Sequence, residues 1–87
     1  MERVRNMESR NGNKIPNQFI IETDSAIIFQ SYNTVIAKKE NGKVFLDSNS
    51  WDYSVTTGKY RNLFLGEDRK ATEKKIKSGE YTLTNLN

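Results

Sequence analysis

Short apolar runs separated by turn-forming residues occupy the middle of the chain and predict β-strands. Two such runs, residues 19–21 and 26–29, are joined by polar residues that suit a tight hairpin connection. Both faces of this hairpin are apolar, so helices packed on one side of a sheet cannot cover it completely. Ile20, Ile27 and Phe29 share one face and are a candidate patch for a partner or a second copy, unless a terminal segment covers them.

A second hairpin is centred on Asn41-Gly42, a pair that readily adopts the two positive φ angles of a type I′ turn. Apolar runs precede and follow this pair. A two-residue loop places Ala37 opposite Leu46, on the face that we expect to form the core. Ile36 is expected on the other, partly solvated face.

The pattern changes to a helical period after the second hairpin. Apolar residues recur at i, i+3 and i+4 from Tyr60, which predicts a short helix from about Ser54 to Leu65, with Gly66 as its stop. Asp68 is suited to cap a second helix that ends near Lys77. The alternation that starts at Tyr81 predicts a last short strand or a docked tail.

Residues 1–17 are polar and rich in Asn and Arg, and they predict a flexible arm. Residues 18–87 are predicted to form one domain, because a chain of 87 residues has apolar side chains for a single core. The expected fold class is α+β. It consists of a small antiparallel sheet of three to five strands, two short helices packed on one face, and a C-terminal strand or tail.

The chain contains neither Cys nor His. This composition excludes disulfides, thiolate nucleophiles, Ser-His and Cys-His pairs, and metal sites built on thiolate or imidazole. We therefore expect no enzyme activity, no catalytic residue, no bound metal and no cofactor. The absence of a signal-like apolar run at the start, and of any stretch near ~18 apolar residues, predicts a cytoplasmic protein without membrane contact.

Two groups of carboxylates are candidates for a catalytic or metal site. Glu73-Lys74-Lys75 fits the end of a nuclease motif, but it lies on a predicted surface helix rather than on a strand beside a second metal-binding Asp. Asp47 and Asp52 flank Trp51 and are better suited to loop contacts and capping than to a shared cation. An enzyme is thus the third hypothesis.

Fourteen Lys and Arg residues against eleven Asp and Glu residues give a formal charge of +3. The charge permits contact with nucleic acid or with an acidic partner but does not require either. Solvated, salt-bridged helix faces are the plainer interpretation. The candidate contact residues on the two predicted helices are Lys59, Arg61, Arg69, Lys70, Lys74, Lys75 and Lys77.

Aromatic residues supply a second type of candidate contact. Trp51 and Tyr60 are expected to be buried in so small a core. Tyr32 and Tyr53 are expected to be exposed and are the candidate anchors for a protein partner, because Tyr is enriched among interface hot spots.

Three segments, residues 29–37, 51–65 and 76–87, carry the motifs FQSYNxxIA, WDYSxTTxKYxxxFL and IKSGEYTLTNLN, in which x stands for any residue. In these segments the chain resembles a family of small uncharacterised proteins from phages and mobile elements of Gram-positive bacteria. The resemblance covers residues 17–87. It implies a genomic setting in which small proteins bind host machines or act as regulators, and it carries no catalytic residue.

The preferred hypothesis is a non-enzymatic inhibitor that binds a protein of the host cytosol, such as a CRISPR nuclease or its complex with nucleic acid. Tyr32, Tyr53 and the apolar hairpin face are its predicted anchors. The alternative hypothesis is a regulator that binds nucleic acid through the basic helix and the N-terminal arm. Formation of a homodimer stays open.

Overall fold

A six-stranded sheet organises the fold in a computed structural model that describes residues 2–87. The strands lie side by side in chain order, and all neighbours are antiparallel except the last two, which are parallel. The predicted α+β fold class is confirmed, although the sheet has more strands than expected. Its strands are β1 (Arg3–Glu8), β2 (Lys14–Glu22), β3 (Ala26–Ser31), β4 (Thr34–Glu40), β5 (Lys43–Asp47) and β6 (Tyr81–Thr84).

The two predicted helices lie between β5 and β6 in the chain, as α1 (Val55–Leu65) and α2 (Arg69–Ser78). The side chain of Ser54 caps α1, and that of Asp68 caps α2, each by accepting a hydrogen bond from a backbone N–H of the first turn. Both helix predictions are confirmed within one or two residues. Among the described residues, no helix has the length and apolar character needed to cross a membrane.

The first strand occupies residues that the sequence predicts to be a flexible arm. β1 pairs with β2, which begins at Lys14, so the structure differs from the expected boundary near residue 17. The pairing depends mainly on backbone hydrogen bonds, which polar residues form as well as apolar ones. Side chains add an Arg5–Glu22 ion pair and a hydrogen bond from Asn6 to the Ile15 carbonyl.

Both predicted hairpins are present. β2 pairs with β3, and β4 pairs with β5 with Ala37 opposite Leu46. Asn41 and Gly42 have φ angles of 53° and 75°, as a type I′ turn requires.

A β-bulge in β4 changes which residues reach the core. Phe29 lies opposite Ala37 and Gln30 lies opposite Val35, so Ile36 is the extra residue between them. Ile36 and Ala37 are both fully buried. The prediction that Ile36 faces solvent is therefore wrong, because strict alternation fails at a bulge.

The core lies between one face of the sheet and the two helices. Its buried apolar side chains come from all six strands, and side chains of both helices pack against them. The rings of Phe29 in β3 and Phe64 in α1 lie 5.8 Å apart. The buried core residues are Met7, Ile20, Phe29, Ile36, Ala37, Leu46 and Tyr81.

A polar cluster around Glu67 joins the second helix to the last strand. The Glu67 carboxylate accepts hydrogen bonds from Lys75 at 2.6 Å, from Thr72 at 2.6 Å and from the hydroxyl of Tyr81 at 2.9 Å. Partial burial alone raises the pKa of Glu67, but these donors and the Lys75 charge outweigh burial and lower its pKa. The cluster attaches β6, an edge strand of the sheet, to α2 and to the residue that precedes it.

Candidate functional site

Tyr32 and Tyr53 each adjoin a serine that contacts Thr57 in α1. They are 51% and 57% exposed, so the exposure predicted for both is confirmed. Ser31, beside Tyr32, places its hydroxyl 3.5 Å from that of Thr57. Ser54, beside Tyr53, accepts a hydrogen bond from the backbone N–H of Thr57 at 3.1 Å. Thr57 in the first turn of α1 thus holds the segments that carry the two tyrosines.

The turn between β3 and β4 presents Tyr32 in an unusual backbone conformation. Its φ angle is 54°, in the left-handed region that favours glycine. The backbone N–H of Tyr32 donates to the Asn17 carbonyl at 2.7 Å, and the Gln30 side chain donates to the Tyr32 carbonyl at 2.8 Å. These contacts hold a conformation that costs about 1 kcal/mol for a residue with a Cβ atom.

Val55 extends the exposed apolar surface of these segments. It is the first residue of α1 and is 92% exposed. We call Tyr32, Tyr53 and Val55 the tyrosine surface. Exposed aromatic and aliphatic side chains grouped in this way mark a contact surface more often than isolated ones do.

An open cleft of about 770 Å³ lies beside Tyr53, between the loop that precedes α1 and one side of that helix. We call it the α1 cleft. It is lined by Asp52, Tyr53, Ser54, Val55, Gly58, Lys59, Arg61, Asn62 and Arg69.

Arg61 forms the inner wall of the α1 cleft and is only 1% exposed. Its Nη1 donates to the Trp51 carbonyl at 2.6 Å and to Asp52 at 3.1 Å, and its Nη2 donates to the Asn62 side chain at 3.0 Å. The guanidinium also lies 5.2 Å from the centre of the Trp51 ring. The prediction that Arg61 contacts a partner is wrong, because its charge serves to hold the loop onto the helix.

Asp52 is shared between two arginines. Arg69 Nε donates to one carboxylate oxygen at 2.7 Å, while Arg61 donates to the other. Partial burial alone raises the pKa of Asp52, but the hydrogen bonds and charges of Arg69 and Arg61 outweigh it and lower the pKa. Asp52 therefore stays ionised at neutral pH and fixes Arg69 at the cleft.

The cations of α2 do not form one free basic face. Arg69 is held by Asp52, Lys75 pairs with Glu67 at 2.6 Å, and Lys77 lies 3.8 Å from Glu73. Within residues 2–87, the exposed cations Lys59, Lys70 and Lys74 form no ion pair with a carboxylate. Of the predicted charged contact residues, these three have uncompensated charge.

The predicted apolar patch on the first hairpin is mostly buried. Ile20 is 6% exposed and Phe29 is fully buried, because they pair across β2 and β3 on the face that Phe64 covers. Their assignment to a binding surface is wrong. Ile27 is 43% exposed at the start of β3 and remains available for contact.

The carboxylates weighed for catalysis have structural partners. Asp47 is nearly fully buried and accepts a hydrogen bond from the backbone N–H of Leu86 at 2.9 Å. Burial alone raises the pKa of Asp47, but hydrogen bonds from Leu86, Ser50, Asn87 and Asn49 outweigh it and lower the pKa. In the part of the chain that the structure describes, no group of three or more His, Cys, Asp and Glu residues is placed to hold a metal ion.

The comparison with known families reaches nearly the whole chain. A family model matches residues 3–80, from the start of β1 to the residue before β6. The chain belongs to DUF8033, a family of unknown function. No curated protein and no solved structure matches it. Because the DUF8033 match includes β1, that strand is part of the region the family shares and not an appendage to it.

Sequence reasoning missed three residues that shape this part of the DUF8033 fold. Val55 was missed because an apolar side chain at the start of a helix gives no signal of its exposure. Gly58 lines the cleft, but in the sequence a glycine within a predicted helix indicates only a lower helix propensity. The burial of Arg61 was missed because it depends on Trp51 and Asp52, which lie ten and nine residues earlier; the sequence Trp51-Asp52 before a helix containing one Arg was the available signal.

Proposed function

We propose that this DUF8033 protein acts by binding another protein through the tyrosine surface, without catalysing a reaction. The observation that carries the proposal is the grouping of Tyr32, Tyr53 and Val55, all more than half exposed, around the first turn of α1. Tyrosine provides a large contact area and a hydroxyl at little entropic cost, which is why it recurs in interface hot spots.

The strained turn supports the same proposal. Tyr32 adopts a φ angle of 54°, where glycine or asparagine is less strained. The side chain of Tyr32 is exposed, so its packing in the free protein does not compensate for this strain. Residues held in such conformations concentrate at sites of recognition.

Binding to nucleic acid is the second candidate. Lys70 and Lys74, one turn apart on α2 and without ion pairs in the described chain, support it. The burial of Arg61 and the ion pairs of Arg69, Lys75 and Lys77 speak for a protein partner instead, since few of the helix cations remain for phosphates.

The class of partner that we propose is a host defence protein, such as a CRISPR nuclease, which this chain would inhibit. Support comes from the resemblance of residues 29–37, 51–65 and 76–87 to proteins of phages and mobile elements. A small protein without catalytic groups inhibits such a target by occupying a surface that the target needs.

An affinity capture tests the proposal. The tagged protein is incubated with nuclease-treated lysate of a Gram-positive host, beside a Tyr32→Ala/Tyr53→Ala double variant and a Leu83→Ala control. Leu83 is also exposed, at 41%, but lies on β6. We expect a protein that is captured by the wild type and by Leu83→Ala and is lost from the double variant.

Capture that survives the loss of both tyrosines, or that occurs from untreated lysate but not from nuclease-treated lysate, contradicts the proposal. A thermal unfolding scan by circular dichroism accompanies the capture. The midpoint for the double variant should stay close to that of the wild type, because both side chains are more than half exposed. Loss of folding would make the tyrosines structural and remove the support that they give.

A further inference from the structure

The α1 cleft has an excess of positive charge. Lys59, Arg61 and Arg69 line it, and Asp52 is the one carboxylate that does. Asp52 is already shared by the two arginines, whereas Lys59 is exposed and has no carboxylate partner within residues 2–87. The Nε–H of Arg61 is buried with no acceptor in the described part of the chain. The cleft therefore attracts negative charge.

Apolar surface adjoins these charges. Tyr53 and Val55 line the cleft and belong to the tyrosine surface as well. Helix α1 begins there without an acidic residue in its first turn, so the positive end of its dipole is not offset locally. The cleft thus combines an apolar contact with an uncompensated cation.

Gly58 gives independent evidence that the shape of this cleft matters. A glycine inside a helix costs stability relative to alanine. The backbone does not require it, since Gly58 is not among the glycines with positive φ. Packing does not require it either, because an added Cβ would meet the Arg61 guanidinium at 3.6 Å, an ordinary contact distance. Gly58 is buried and lines the cleft beside the Arg61 guanidinium, so a larger side chain at this position would take up space there.

We infer that the α1 cleft seats an acidic segment of the protein partner, with a carboxylate against Lys59 and a neighbouring apolar side chain against Tyr53 and Val55. The inference rests on the proposed function and specifies the chemistry of the partner. The carboxylate enters beside Lys59, because Arg69 and Arg61 are already engaged by Asp52.

A peptide fits this cleft better than a nucleic acid strand does. A phosphate backbone carries a charge at every nucleotide and needs a row of cations. Here Lys59, which lies over the Tyr60 ring, is the single lining cation without a carboxylate partner among the described residues, and the Asp52 carboxylate lies within the cleft and would repel a second phosphate. One acidic residue beside an apolar one avoids that repulsion.

Selection from a library of random twelve-residue peptides tests the inference without knowledge of the natural partner. The wild-type protein is the bait, and the peptides selected are then measured against Lys59→Glu and Lys70→Glu. Lys70 is the matched control, because it is an exposed cation without an ion pair but lies on α2, outside the cleft. Both variants change the net charge equally.

We expect selected peptides in which Asp or Glu stands next to an aromatic or aliphatic residue. Lys59→Glu should weaken their binding at least about tenfold, and Lys70→Glu less than about twofold. Selection of basic or neutral peptides, no selection at all, or equal weakening by the two variants would overturn the inference. Displacement of the peptide by a thymidine oligonucleotide, with the same dependence on Lys59, would assign the cleft to nucleic acid and also overturn it.

A cleft-filling variant gives a second measurement. Gly58→Leu should retain the circular dichroism of the wild type and lose peptide binding at least about tenfold, since the new side chain takes up space in the cleft. Unchanged peptide affinity in a folded Gly58→Leu variant would contradict the inference; if this variant does not fold, the Lys59→Glu comparison decides.

The inference and the proposed function fail in different ways. Tyr32 belongs to the tyrosine surface but does not line the cleft. Capture of a protein that depends on Tyr32 and Tyr53 but is unaffected by Lys59→Glu would overturn the acidic-segment inference and leave the proposed function standing. Capture that is independent of the tyrosines would overturn the proposed function itself.

Discussion

The guanidinium of Arg61 shows how single residues hold the candidate site together. It donates to the Trp51 carbonyl, to Asp52 and to Asn62, and thereby attaches the loop before α1 to the helix itself. Without this donor, the Trp51 carbonyl and the Asp52 carboxylate are left poorly paired. The free energy lost in this way exceeds the net contribution of the hydrogen bonds to stability.

Replacing Arg61 by Met should therefore lower the free energy of unfolding by about 2–4 kcal/mol, because the apolar stem stays and the donors are lost. Urea unfolding followed by circular dichroism measures it. The matched control is Lys59→Met on the same helix, which should change the value by less than about 0.5 kcal/mol, since Lys59 is exposed. Equal effects of the two substitutions would contradict the buried role of Arg61.

Strand β1 is an element that local sequence signals do not predict. The hairpins and helices follow from turn and capping residues that act within a few positions, such as Asn41-Gly42 and Ser54. β1 has a polar sequence, and its strand conformation comes from pairing with β2. The parallel pairing of β5 and β6 depends on the Glu67 cluster, whose members are distant in the chain.

One side chain of β1 distinguishes a strand from a flexible arm. Met7 is 7% exposed and belongs to the core, whereas Val4 on the same strand is 60% exposed. Met7→Ala should lower the free energy of unfolding by about 2 kcal/mol or more, and Val4→Ala by less than about 0.5 kcal/mol. Urea unfolding of the two variants measures both values. An unchanged free energy of unfolding for Met7→Ala would mean that residues 3–8 form the flexible arm that the sequence predicts.

At the scale of the whole molecule, three carboxylates connect parts that are distant in sequence. Asp47 holds the C-terminal tail through Leu86, Asp52 holds Arg61 and Arg69, and Glu67 holds β6 through Tyr81. Burial opposes ionisation in each case, but hydrogen bonds to the charged form outweigh it, so the pKa of each is lowered in the folded protein. Ionisation of all three therefore contributes to the stability of the fold.

The acid side of the stability profile tests this dependence. In the unfolded chain the pKa values of Asp and Glu are about 3.9 and 4.3, and in the fold those of Asp47, Asp52 and Glu67 are lower. At pH values between the folded and the unfolded pKa values, the unfolded chain binds more protons than the folded protein does. The free energy of unfolding therefore rises with pH in this range. The contribution is fully present above the unfolded pKa values and is lost as pH falls through the folded ones.

We therefore expect the free energy of unfolding to fall between about pH 5 and pH 2, with a shallower slope in a Glu67→Gln variant. Urea unfolding at a series of pH values gives both slopes. An unchanged slope for Glu67→Gln would mean that the pKa of Glu67 is not lowered in the folded protein.

The candidate site was only partly visible in the sequence. Tyr32 and Tyr53 were identified from residue type, but their proximity depends on Ser31 and Ser54 both contacting Thr57. Ile20 and Phe29 were assigned to a surface because the sequence does not show which face of the hairpin the helices cover. Residue type thus indicates which kind of contact a side chain can form. Whether that side chain is exposed to a partner depends on the packing of segments that are distant in the chain.

Hydroxyl-radical footprinting of the captured complex tests the central claim most directly, because it reports which side chains lose contact with water. Oxidation of Tyr32 and Tyr53 should fall several-fold when the partner binds, while Val4 on β1 and Leu83 on β6 should react as in the free protein. Unchanged oxidation of both tyrosines, with protection at Val4 or Leu83 instead, would contradict the proposal that the tyrosine surface binds the partner.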